Sequence, residues 1–133
     1  MNQVRDAMVP EPGTLEASAS AREAGERLSD PAVRAVLVSD DGRLVGVVTR
    51  KTLVEEIVAA GRDPRATTLG EIAEPPLFTI DASMDLDEAY RALEENDFER
   101  VPVVEDGRLV GILSRTVLQR RLAEDEAPDQ QQV

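Results

Sequence analysis

The chain has 133 residues, with 27 acidic and 15 basic side chains, a formal net charge of −12 and 41% hydrophobic residues. That length holds one compact domain or two very small ones, and the apolar content argues for a core rather than wholesale disorder. Cysteine and histidine are both absent, which excludes disulfides, thiolate or imidazole metal sites, and Ser-His or Cys-His catalysis.

The first predicted element is a short helix over Gln3–Met8, stopped by Pro10 and Pro12, which force extended chain. A short strand follows at Thr14-Leu15. The capping box Ser20-x-x-Glu23 then starts a helix whose apolar face is Ala21, Ala24, Gly25 and Leu28. That face is thin, so a short or loose helix is expected. Strands at Ala35–Val38 and Leu44–Val48 flank Asp41-Gly42, a hairpin signal. The nearly continuous apolar character of Leu44–Val48, and of its later counterpart Leu109–Leu113, predicts burial on both faces. Thr49 is placed to cap a closing helix that ends near Gly61, with a linker over 62–66.

The same series then runs again. Thr68-x-x-Glu71 caps a short helix at Leu69–Ala73, Pro75 and Pro76 end it, and a strand is expected over Leu77–Ile80. Asp85-x-x-Glu88 opens a helix with the stripe Leu86, Ala89, Tyr90 and Leu93. Strands at Val101–Val104 and Leu109–Leu113 flank Asp106-Gly107, and Ser114 caps the last helix. Residues 124–133 are acidic and glutamine-rich without apolar period, and are expected to be a disordered tail.

Sliding the chain on itself by 65 residues aligns Val4–Val58 with Leu69–Ala123 without a gap, and 17 of 55 paired positions are identical. Composition alone would give about four matches. Asp41–Gly46 recurs unchanged as Asp106–Gly111, and Arg50 and Leu53 recur as Arg115 and Leu118. The chain therefore reads as two repeats, 1–61 and 67–123, each ordered α-β-α-β-β-α.

These residues resemble a known family. The stretch Arg100-Val101-Pro102-Val103-Val104 followed by Asp106-Gly107 and Leu109-Val110-Gly111-Ile112-Leu113-Ser114 is similar to the cystathionine-β-synthase (CBS) domain. Ala35–Val38, Asp41-Gly42 and Leu44–Thr49 repeat it in the first copy. The pair resembles a Bateman module, which implies an α/β (α+β) fold of two CBS repeats packed by pseudo-twofold symmetry with central sheets facing. It also implies a regulatory module, not an enzyme, that binds AMP, ADP, ATP or S-adenosylmethionine in clefts between the repeats and signals to a client protein, here unknown.

The family's site motif is a glycine-led strand ending in Thr or Ser, then two residues, then Asp. Carried across, it marks Thr49, Arg50, Lys51 and Thr52 in the first copy, and Ser114 and Arg115 in the second. Thr14, Leu15, Val36, Thr79, Ile80, Arg100, Val101 and Pro102 are the matching cleft-lining positions. The family's Asp, which holds the ribose hydroxyls, is Thr52 in one copy and Val117 in the other. Two cations and a hydroxyl favour the first cleft over the second. Thr49 and Ser114 also read simply as helix caps, and a ligand-free dimerisation or docking module is the alternative function.

The resemblance also implies a homodimer, since module pairs of the family associate through helices, and the stripe Leu86, Ala89, Tyr90 and Leu93 with nearby Met84 supplies apolar surface for it. Three aromatics and strong acidity argue against nucleic acid. No apolar run approaches the ~20 residues of a membrane span, so no membrane association and a cytoplasmic location are expected.

Overall fold

Capping, turn chemistry and apolar period together decide where each element begins. The structure is a computed structural model that describes residues 2–10, 13–76 and 78–131, with side chains through 124. After a 3₁₀ turn at Val4–Asp6 come β1 (Val9–Pro10), β2 (Thr14–Glu16), α1 (Ala21–Leu28), β3 (Ala35–Asp40) and β4 (Arg43–Thr49). A helix α2 (Arg50–Leu53) continues as a π-helical segment, Val54–Ala59, and α3 (Leu69–Ile72) follows. The chain continues through β5 (Ile80–Asp81), α4 (Leu86–Glu95), β6 (Arg100–Glu105), β7 (Arg108–Ser114) and α5 (Arg115–Gln131). The fold is mixed α/β.

The chain forms two compact units, and their boundaries differ from those of the sequence repeats. One unit is Gly13–Leu77; the other joins Met1–Pro12 to Phe78–Val133. Each is described in turn.

In the first unit β2 pairs parallel with β3, and β3 antiparallel with β4. The turn between β3 and β4 is the expected Asp-Gly: Asp41 and Gly42 both take positive φ, 52° and 85°, as a two-residue type I′ turn requires. Ala21, Ala24 and Leu28 of α1 close over Val36, Val38 and Val48 of the sheet, with Ile57 beside them. Leu69 and Ile72 of α3 complete this core. The helix that opens the second sequence repeat thus belongs to the core of the first. Backbone bonds fix it there: Leu69 N donates to Ala19 O at 2.8 Å and Gly70 N to Ala17 O at 2.9 Å. Beyond α3, Glu74 and Val47 exchange two backbone bonds, 2.8 and 2.9 Å, so the chain lies along β4 like an added strand.

The second unit repeats this plan with the other opening element. β5 pairs parallel with β6, β6 antiparallel with β7, and β1 lies antiparallel along β7. Val4 and Ala7 enter a core with Ile80, Leu86, Ala89, Leu93, Val101, Val103, Leu113 and Leu118. Val4 N donates to Met84 O, and Leu86 N to Asn2 O, at 2.8 and 2.9 Å.

Several expectations change. The Gln3–Met8 helix is only a 3₁₀ turn, because Gln3 and Asp6 cap each other across it and Ala7 already closes onto Val4 O. The strand expected over Leu77–Ile80 is β5, Ile80–Asp81; Leu77 and Pro12 lie outside the described residues. Ser20 caps α1, accepting from Glu23 N at 3.3 Å, whereas Asp85 makes no side-chain cap on α4. The outer faces of β4 and β7 are only half-covered, with Val45 44% exposed, so burial is one-sided. Helix α5 runs to Gln131, into the residues of the expected acidic tail. Residues 132–133 lie outside the described residues. The stripe Leu86, Ala89, Leu93 is buried within its own unit, at 1%, 0% and 0% exposure. Tyr90 and Met84, the other members of that face, are half-buried.

Candidate functional site

In both units the glycine-led strand runs straight into a helix whose N-cap is the strand's terminal hydroxyl residue. In the first unit Thr49 ends β4 with extended backbone. Its hydroxyl accepts from Thr52 N at 3.3 Å, while Thr49 N donates to Thr52 Oγ1 at 3.0 Å; the two hydroxyls lie 3.1 Å apart. This reciprocal cap satisfies donors that a helix start leaves orphaned. Thr52 is fully buried. Its hydroxyl is spent inside the cap and is not turned toward solvent.

The cations of this site are held lightly. The Arg50 guanidinium donates through Nη2 to the carbonyl of Asp30 at 2.9 Å. Lys51 Nζ lies 3.7 Å from Glu55 one turn on and is 80% exposed, a pair worth little in water. The register sets Ala35 beside Thr49, and Thr14 beside Leu37. Thr14 and Leu15 are half-buried on the neighbouring strand β2, and Ser39 Oγ lies 3.4 Å from Thr14 Oγ1. Val36 is 2% exposed. It faces the core and offers a ligand only its backbone.

The second unit has the same frame and different chemistry. Ser114 Oγ accepts from Val117 N at 3.4 Å. The Arg115 guanidinium is drawn to carboxylates: Nη1 lies 3.4 Å from Asp97 Oδ1 and Nε 3.5 Å from Glu99 Oε2. Thr116 donates to Glu99 Oε1 through its hydroxyl at 2.6 Å and its amide at 3.3 Å. The Thr116 hydroxyl bond, more than its amide or the nearby Arg115 and Arg100, holds the Glu99 carboxyl below the usual range. Arg100 is paired in register with Ser114, and Pro102 with Ile112. Arg100 and Thr79 are exposed. Val101 and Ile80, 2% and 1% exposed, are core side chains. Val117, aligned with Thr52, is 39% exposed where Thr52 is buried.

Sequence reasoning missed Asp97, Glu99 and Thr116. The signal was there in the repeat alignment, because Glu99 stands where the first copy has Arg34. It also missed why each motif begins with glycine. A Cβ on Gly46 would lie 2.6 Å from Glu74 O, and one on Gly111 2.8 Å from Val9 O. The glycine admits the strand that lies alongside, so in these units it answers a packing demand of the backbone.

The model of the CBS domain matches the chain twice, over residues 4–59 and 69–124. The chain belongs to that family and carries a tandem pair of its domains. Among curated relatives it is 38% identical over 88 residues to hypoxic response protein 1 of Mycobacterium tuberculosis, covering 66% of this chain and 62% of that protein. It thus spans less than two thirds of that relative's length. A crystal structure of Hypoxic Response Protein I with two coordinated zinc ions superposes with a TM-score of 0.75 at 30% identity, covering 91% of this chain and 99% of that one. A crystal structure of CBSX2 in complex with AMP gives 0.72 at 30% identity, covering 95% and 99%.

Proposed function

We propose that the chain is a regulatory module that binds an adenosine nucleotide through the β4–α2 junction of its first unit and reports occupancy to a partner protein. The observation that carries this is the pairing of a hydroxyl-capped helix start with Arg50 and Lys51, in a chain similar to one crystallised with AMP. Cations in the first turn sit at the positive end of the helix dipole, where they oppose it. An anion there reverses the cost, accepting from backbone amides and cations together. Zinc, held by the other relative, is the weaker reading. This chain has no histidine or cysteine, and no cluster of three ligating side chains occurs among the described residues. Thr52 and Val117 leave the ribose without a carboxylate, so phosphate contributes more of the affinity than ribose does.

A thermal-shift panel of AMP, ADP, ATP, NAD and S-adenosylmethionine tests the reading. A ligand that binds only the folded chain raises its stability by RT ln(1 + [L]/Kd), about 2.7 kcal/mol at 100 times Kd. Phosphorylated ligands should raise the melting temperature and Arg50→Ala with Lys51→Ala should abolish the rise. A panel without any shift transfers the function to the second reading, a docking or dimerisation module. That reading has its own support in a groove of about 450 Å³ between α1 and the π-helical segment, lined by Ala21, Gly25, Leu53, Ile57 and Val58. Val58 of this lining is 74% exposed. We place the homodimer contact on this face; light scattering should give twice the 14.5 kDa chain mass.

A further inference from the structure

The two strand–helix junctions share a backbone plan and differ in who occupies the helix start. In the second unit the first-turn amides of α5 already have partners inside the chain. Arg115 N donates to Glu99 O at 2.8 Å, Thr116 N to the Glu99 carboxylate at 3.3 Å, and Val117 N to Ser114 Oγ at 3.4 Å. The Thr116 hydroxyl and the Arg115 guanidinium turn to the same carboxylate. One anionic group thus takes an amide, a hydroxyl and a guanidinium at a helix N-terminus, the donors that would otherwise serve a phosphate.

We propose that Glu99 is a built-in occupant of this anion position, so that each chain takes one nucleotide phosphate, at the first unit, and none at the second. The inference rests on the nucleotide reading above and deepens it by assigning a stoichiometry and the residue that sets it. Among the described residues the first unit has no counterpart to this arrangement. Sixty-five residues earlier Glu99 is replaced by Arg34, Asp97 by Ala32 and Thr116 by Lys51. Arg50, the equal of Arg115, donates to a neutral carbonyl instead of carboxylates. The repeats therefore carry opposite charge at one matched position, Arg34 and Glu99, while the first lacks the acid of Asp97 and gains the cation of Lys51. A phosphate arriving at Arg115 meets two carboxylates and must displace one that is tethered beside it, at high effective concentration. At the first unit it meets Arg50, held only by a neutral carbonyl, and Lys51, whose nearest carboxylate is Glu55 one turn on at 3.7 Å.

Titration calorimetry with AMP on the intact chain decides the matter. Wild type should bind one AMP per chain, and Arg50→Ala should remove it. Glu99→Arg, which restores the first repeat's charge, should bind two, the second lost again when Arg115→Ala is added. Glu99→Gln keeps a hydrogen-bond acceptor for Thr116 without the charge and should show a second, weaker site. It also carries the test if Glu99→Arg does not fold, as judged by circular dichroism. Two sites in wild type overturn the proposal, as does a single site unchanged in every folded Glu99 variant. Binding by a Glu99 variant alone, with none in wild type, supports the occupant and refutes the nucleotide reading of the first unit. No binding by any of them refutes both.

Discussion

Gly25 and Gly46 show how one residue type answers two opposite demands. Gly25 lies inside α1, where a Cβ would meet nothing closer than Leu53 Cδ1 at 3.8 Å. Gly46 lies in β4, where a Cβ would meet the carbonyl oxygen of Glu74 at 2.6 Å and Ala73 Cβ at 2.9 Å. Alanine at Gly25 removes backbone entropy from the unfolded chain at no steric cost, and should stabilise the protein by about 0.5–1 kcal/mol. Alanine at Gly46 must push the neighbouring strand away, and should cost about 1–3 kcal/mol. Urea unfolding of the two variants should move the midpoint in opposite directions. Equal shifts would mean that the strand at Glu74 does not press on β4 as described.

Among the elements, the opening segments of the two repeats are exchanged between cores. Val4, at the chain's start, is fully buried with Leu86 and Leu113, while Leu69, from the second repeat, is fully buried with Val36 and Val48. Removing residues 1–10 takes away Val4, whose burial is worth about 1.5–3 kcal/mol, and strips β1 from the edge of β7. Hydrogen exchange should then speed up in β7 and α4. The amides of β4 should keep their protection, because their neighbouring strand comes from Glu74. Protection lost equally in both units would contradict the exchange. The closing helices differ too. Thr52 and Ile57, five residues apart, are both buried in the first unit, a spacing that a π-helical turn brings to one face. Among the described side chains of α5 the buried one is Leu118, and Val117 turns outward. A hydroxyl reserved for the cap in one repeat corresponds to an exposed methyl pair in the other.

At the scale of the molecule the charge of −12 dominates. The ion pairs described are exposed at one partner or both, Lys51–Glu55 and Arg115–Asp97 among them, and each contributes little. Repulsion summed over the surface outweighs them. Salt shortens the Debye length to about 10 Å at 0.1 M, so added sodium chloride at pH 7 should raise the melting temperature. Acid acts on both sides of this balance. The amide and hydroxyl of Thr68 hold Glu71 below its ordinary value, the hydroxyl and then the amide of Ser83 do so for Asp81, and the Thr116 hydroxyl for Glu99. Carboxyls lowered on folding give stability that is present above their unfolded values and lost as pH falls through the folded ones. Protonation first cancels the negative excess, which reaches zero near pH 4.4, and only below that leaves the 15 cations in excess. The melting temperature should therefore hold from pH 7 to about 5 and fall below about 4. A fall in melting temperature with salt at pH 7 would contradict the dominance of repulsion.

The sequence by itself determined the two repeats, the order of their elements and the β-turns, because caps, Asp-Gly pairs and apolar period act within a few residues of chain. Gly61 as a helix stop, with φ +72°, and the Thr68–Glu71 cap belong to the same local class. It also marked Thr49 and Ser114 as hydroxyls at helix starts. Only the tertiary structure decided which core each opening element joins, since Val4 and Leu69 are equally apolar and nothing local ties either to its partners. Only the structure showed that Gly46 and Gly111 make room for a strand that arrives from elsewhere in the chain. Thr52, a free hydroxyl on paper, is consumed by its own cap, and Arg115, a cation on paper, is already held by Asp97 and Glu99. In each case the deciding partner is set by packing and by the geometry of donors and acceptors, and a residue's type does not record it.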